Sequence, residues 1–264
     1  MHEIADIACN FTSDRFDNDL DEVIDRAIAN HITKFGLICS RLRDVDKLLE
    51  IYNRYSKNMF FTIGVHPHHA NEINAEYLEK LKEVINKNNP HAIGETGLDF
   101  FRNLSTYEEQ IYAFEEQIKI AIDTNKPLFL HQRDSHQDFI KILRKYSSDI
   151  SKAVVHCFTG TQSQLDDYLE LDCYIGVTGW ICDEKRNVEL RKTIKSIPLS
   201  KLMIETDCPY LIPKNLLDKP KNNRNEPSYL NHIVTEISIL LDTDEEDIRN
   251  ESFKNTLSFF QSIN

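Results

Sequence analysis

Short apolar runs recur along the chain, each bounded by polar or turn residues, and they predict strands near 3–8, 36–39, 60–64, 91–94, 127–130, 152–156, 173–177 and 201–205. Between them apolar positions fall at helical spacing: Leu20, Val23, Ile24, Ala27 and Ile28; Val45, Leu48, Leu49 and Tyr52; Ile111, Phe114, Ile118, Ala121 and Ile122. That spacing gives each helix one stripe to bury. Strands separated by helical crossovers must run parallel, so eight alternations predict an α/β chain of the (β/α)8 TIM-barrel class. Thr106 with Glu109 three residues on predicts a capping box, and Asp134 stands ahead of a helix over 136–145. Residues 228–260 read as two helices split near Asp242–Asp244, and 211–227, rich in Pro, Asn and Lys, as the longest loop. A length of 264 residues suits one barrel domain spanning 1–264.

Several of these runs stop on a side chain that ligates metals: FFTIGV before His66, HAIG before Glu95, PLFL before His131, KAVV before His156 and LMIET before Asp207. Parallel barrel strands carry such residues to one face. Asp and Glu number 43, so acids near strand ends are weak signals. His numbers only ten. Three or more of eight strand ends would carry one by chance about 2% of the time. Taken singly, His66 also reads as a loop imidazole beside Pro67, His131 and His156 as buried side chains bonded to backbone, and Asp207 as a turn cap. Together they read as a metal site. Mixed imidazole and carboxylate donors suit Zn²⁺, Mn²⁺ or Fe, whereas Mg²⁺ prefers oxygen. Such an ion activates water and stabilises phosphoryl or carbonyl charge, so hydrolysis is the expected reaction. Arg102, Arg133, Arg186 and Arg224, interleaved with Phe100, Phe101 and Trp180, lie near the same strand ends. Guanidinium groups fork phosphates and aromatic rings stack bases.

Charge and composition narrow the partners. A net charge of −12 argues against capture of long duplex tracts by a broad positive field, while leaving room for phosphate at a metal-bearing cleft. The six cysteines (Cys9, Cys39, Cys157, Cys173, Cys182, Cys208) form no CxxC pair, which argues against structural zinc or a disulfide framework. No run approaches the ~20 apolar residues of a membrane span. A cytoplasmic protein with no membrane partner is expected.

The segments GVHPH (64–68), GETGLD (94–99), LHQRD (130–134), HCFTG (156–160), GWICDEKR (179–186), IETDCPYL (204–211) and RNEP (224–227), with the opening DIACNFTSDRF (6–16), resemble the TatD family of metal-dependent deoxyribonucleases, in its TatD branch. The resemblance implies a TIM barrel and divalent-metal nuclease activity, 3′→5′ exonucleolytic on single-stranded DNA or RNA, with Mg²⁺ the expected ion and Mn²⁺ or Zn²⁺ as alternatives. It further implies a role in DNA repair or turnover. It places metal ligands at Glu95, His131, His156 and Asp207. His66 would contact phosphate or assist proton transfer, and Asp207, with His66 and Glu95, would serve the chemistry. Arg102, Arg133, Arg224 and Trp180 would bind substrate. The superfamily's HxH pair on the first strand is replaced by Ala8 and Asn10, which leaves one or two ions open; Asp6 and Asn10 are the first-strand contributors. Two rivals keep the barrel: an amidohydrolase-like enzyme cleaving a small-molecule C–N or ester bond, and a non-catalytic binding protein.

Overall fold

The computed structural model describes residues 2–261, so residue 1 and residues 262–264 of the expected 1–264 unit lie outside the described residues. Strands β1 (Ile4–Cys9), β2 (Ile32–Leu37), β3 (Met59–Ile63), β4 (Ala92–Asp99), β5 (Leu128–Arg133), β6 (Ala153–Val155), β7 (Tyr174–Val177) and β8 (Leu202–Ile204) lie in sequence order. Every neighbouring pair is parallel. A parallel bridge between Cys9 and Cys208 joins β1 to the chain after β8 and closes the ring. Helices α1 (Leu20–Ala29), α2 (Val45–Arg54), α3 (Ala75–Asn88), α4 (Tyr107–Asp123), α5 (His136–Tyr146), α6 (Gln162–Glu170) and α7 (Val188–Thr193) supply the crossovers. Helices α8 (Leu230–Leu241) and α9 (Glu245–Phe260) end the chain, split at Asp242 in left-handed conformation.

Three expected boundaries move. The second strand begins at Ile32 rather than 36, because the half-buried Thr33 and Lys34 interrupt its apolar run. Strands β4 and β5 continue past their first polar residues, pairing Gly97 with His131 and Asp99 with Arg133. Polar side chains do not end a ladder when they line a cleft, since backbone groups pair regardless of what the side chains face. Thr106 and Glu109 form the expected capping box, but Ser135 rather than Asp134 occupies the cap of α5. Residues 211–226 carry only turns and bends.

Two apolar layers hold the barrel. The larger packs the outer strand faces against the helices. The smaller joins Ala8, Ile38, Phe60, Ala92, Phe129, Val154 and Met203 with Phe259 and Phe260 of α9. Phe260 stacks on Phe60 with centroids 4.9 Å apart. The C-terminal helix thus plugs one end of the barrel with aromatic rings, and the polar cluster stands beyond this apolar layer. Burying each large ring contributes ~1.5–3 kcal/mol.

Candidate metal centre

Alternate residues of a strand share a face. Two positions beyond the apolar layer, Phe129 gives way to His131, Val154 to His156 and Met203 to Glu205. From Phe60 the same face runs through Thr62 and Gly64 to His66. Glu95 breaks this rhythm. A register shift on β4 between Ile93 and Thr96 re-aims one residue, and the Glu95 amide donates to Cys39 O at 2.9 Å. Glycines flank it with φ of 149° at Gly94 and 145° at Gly97, where L side chains are strained. A Cβ at Gly97 would stand 1.9 Å from His131 O.

Three imidazoles converge on Glu95 Oε1: His156 Nε2 at 2.7 Å, His131 Nδ1 at 2.9 Å and His66 Nε2 at 3.3 Å. His66 Nδ1 accepts from the His68 amide at 3.1 Å, which leaves the ring proton on Nε2. His131 Nε2 lies 3.4 Å from Asp99, which also takes His68 Nε2 at 2.7 Å. His156 Nδ1 lies 3.5 Å from Glu205, itself fully buried and fixed by the Cys157 amide.

Burial would raise the Glu95 carboxyl, yet His156 and His66 and the imidazole hydrogen bonds hold it well below its usual range. Burial opposes charge on His156 and His131 too, but Glu95 with Glu205, and Asp99 with Glu95, respectively outweigh it and push both upward. His66 goes the other way, lowered to about 4 chiefly by burial. Burial lifts Asp207 to about 7, reinforced by Glu95 and Glu205 and opposed by His156.

This donor set fits a divalent cation. His66, Glu95 and His131 offer ligand atoms all within 4.8 Å of one another. Among the described residues, buried His131 Nε2, His156 Nδ1 and Glu205 Oε2 have no well-formed hydrogen bond and face carboxylates or imidazoles only at 3.4–3.5 Å, a loosely paired polar cluster that a cation would draw together. Bound metal displaces protons from such ligands.

Asp207 follows β8 in left-handed conformation, φ 54°. Asn10 Nδ2 donates to Asp207 Oδ1 at 2.9 Å and to Cys208 O at 3.1 Å. Asp6 accepts from the Thr206 amide at 2.9 Å and from its hydroxyl, and Asn225 Nδ2 donates to Thr206 O at 3.0 Å. The first strand therefore clamps the turn that presents Asp207. Glu205, Asp99 and His68 were not among the expected site residues. Parity from Met203 would have found Glu205; Asp99 and His68 carry no signal beyond lying inside GETGLD and GVHPHH.

The expected substrate residues are less uniform. Arg102 and Arg133 are exposed on the rim, and the Arg133 guanidinium lies 3.8 Å from the Phe101 ring centroid. Trp180 is half-buried against the core. Arg186 is exposed beside Asp183. Arg224, expected to hold phosphate, is buried with its terminal nitrogens on Asp19 at 2.7 and 2.6 Å, and Nη1 also donates to Arg15 O. It pins the 211–226 loop to the chain after β1. Arg224→Ala should cost about 1–3 kcal/mol, since the half-exposed Asp19 and the Arg15 carbonyl lose their donor, and calorimetric melting checks it. The salt dependence of oligonucleotide binding should not change; a shallower slope would restore the phosphate role.

Barrel and cluster together describe a metal-dependent hydrolase type of molecule. The family model described as TatD related DNase matches residues 5–261, and the chain belongs to that family. It is 38% identical over 255 residues to the "3'-5' ssDNA/RNA exonuclease TatD" of Erwinia amylovora, covering 97% of this chain and 98% of that one. The protein of the same name from Escherichia fergusonii is 42% identical over 233 residues, 88% of this chain and 89% of that one. Among solved structures, a TatD family hydrolase from Entamoeba histolytica superposes with a TM-score of 0.88 at 30% identity, covering 98% of each chain.

Proposed function

We propose that this protein is a divalent-metal-dependent nuclease that removes nucleotides from the 3′ end of single-stranded DNA, and of RNA, with the whole chain acting as one catalytic unit. The observation that carries this reading is the convergence of His66, His131 and His156 on Glu95, in a chain 38–42% identical over most of its length to proteins named for that activity. Glu95, His131, His156 and Asp207 would hold the ion, Mg²⁺ by preference, with Mn²⁺ or Zn²⁺ as substitutes and one or two ions bound. When bound, the metal polarises phosphoryl oxygen and makes water a stronger acid. Asn10 donates to Oδ1 of Asp207, and the carboxylate so held would orient an attacking water. His66, neutral with its proton on Nε2, would donate to phosphate or pass a proton. Arg102 and Arg133 would meet the strand's phosphates and Trp180 would flank it. Six free thiols suit a reducing compartment such as the cytoplasm, where DNA repair or turnover would be its setting.

The test is direct. Purified protein with Mg²⁺ or Mn²⁺ at neutral pH should shorten 5′-labelled single-stranded oligonucleotides stepwise from the 3′ end, and chelation should stop it. Unchanged ladders with both metals would overturn the reading, and turnover of small amides instead would favour an amidohydrolase.

A further inference from the structure

A cavity of about 660 Å³ opens on the barrel rim beside the metal cluster, lined among others by Phe101, Gln132, Arg133, His136 and Gln164. None of the cluster's ligands lines it. It adjoins them through β5, where His131 joins the cluster, Gln132 takes the opposite face and Arg133 ends the strand. Arg133 is two residues past His131, ~7 Å along the strand.

One wall is a stacked pair, with the guanidinium of Arg133 3.8 Å from the Phe101 ring centroid and Phe101 57% exposed. The other is a fixed polar network. With the Gln132 amide oriented so that its oxygen accepts from the Ser135 and His136 amides, each at 3.0 Å, its nitrogen faces Tyr168 Oη at 3.3 Å. The Tyr168 hydroxyl then donates to His136 Nδ1 at 2.9 Å, and His136 Nε2 donates to Asp167 at 2.8 Å. Each donor in this chain has one assigned acceptor, except the second amide hydrogen of Gln132. The proposed hydrolysis uses neither the network nor the Phe101 ring.

We propose that this cavity is a nucleobase subsite, taking the base of a nucleotide adjoining the scissile phosphate, stacked on the Arg133–Phe101 pair with its polar edge toward Gln132. The inference rests on the nuclease reading. The volume lies within the range of small-molecule sites, a stacked guanidinium and phenyl ring accept any base face, and an immobilised amide can meet the base edge. The ~7 Å along β5 is about the reach of one nucleotide, which points to the nucleotides beside the cleaved bond.

Oligonucleotides lacking one base, at either the terminal or the penultimate unit, test it. The wild-type protein should cleave one of the two about tenfold less efficiently in kcat/KM than the intact strand, mainly through KM. Phe101→Ala should cleave the intact strand about tenfold less efficiently and lose that discrimination. As an independent readout, 2-aminopurine at the sensitive position should be quenched on binding to the wild-type protein with metal withheld, and not by Phe101→Ala. Equal cleavage of intact and both abasic strands by wild type, or full discrimination and quenching retained by Phe101→Ala, overturns the subsite while leaving the nuclease reading intact. Absence of cleavage of any strand removes both.

Discussion

Glu95→Gln is expected to lower nuclease turnover by on the order of 10²–10³ while leaving the fold in place. The substitution is nearly isosteric, so the register shift on β4 and the flanking glycines keep their geometry. What changes is charge. Oε1 sits within 2.7–3.3 Å of three imidazole nitrogens, and the carboxylate lifts His156 together with Glu205, and His131 together with Asp99. An amide at that point presents no charge to a cation and, in one orientation, sets N–H groups against imidazole N–H groups. Circular dichroism should be unchanged, calorimetric titration with Mn²⁺ should show a large loss of affinity, and 3′-shortening should fall to background. Turnover within tenfold of wild type with undiminished Mn²⁺ affinity would show that Glu95 is a structural acceptor for buried histidines.

Most of the barrel could be read from periodicity, because each strand and helix is defined by apolar positions within its own segment. Residues that break a period were harder to place. His131 and His156 follow from alternation, two positions past Phe129 and Val154, and Glu205 follows from Met203 by the same rule, although Asp207, two residues further on, is the acid that ends the longer LMIET run. In the sequence Glu95 stands out only as the acid that ends the HAIG run inside GETGLD. Its true reason for facing the cluster is a register shift, which depends on pairing with β5 and leaves no local pattern. Arg224 shows the opposite limit. RNEP is a recognisable segment, but whether its guanidinium meets phosphate or Asp19 depends on a contact spanning most of the chain, and composition carries nothing about that. Asn10 belongs with these. In the sequence it marks the loss of an imidazole ligand, and in three dimensions it is a donor that fixes Asp207.

Gly97→Ala should be among the most damaging small substitutions in the protein, because steric and conformational costs fall on the same atom. The φ of 145° lies where an L side chain is strained, costing ~1–3 kcal/mol. The added methyl would also stand 1.9 Å from His131 O and 2.9 Å from His131 C. Both are backbone atoms, so no rotamer change relieves the overlap; β4 and β5 must separate, at a further ~1–3 kcal/mol. A combined loss of about 2–6 kcal/mol corresponds to a fall in Tm on the order of 10 °C for a chain of this size. The strand that must move carries His131, so metal affinity should fall with stability, unlike Glu95→Gln, which should spare Tm. Scanning calorimetry and Mn²⁺ titration of the two variants side by side separate these effects. A Gly97→Ala protein melting within a degree of wild type would mean that β4 tolerates a Cβ there, and that the close approach of the two strands does not set the position of His131.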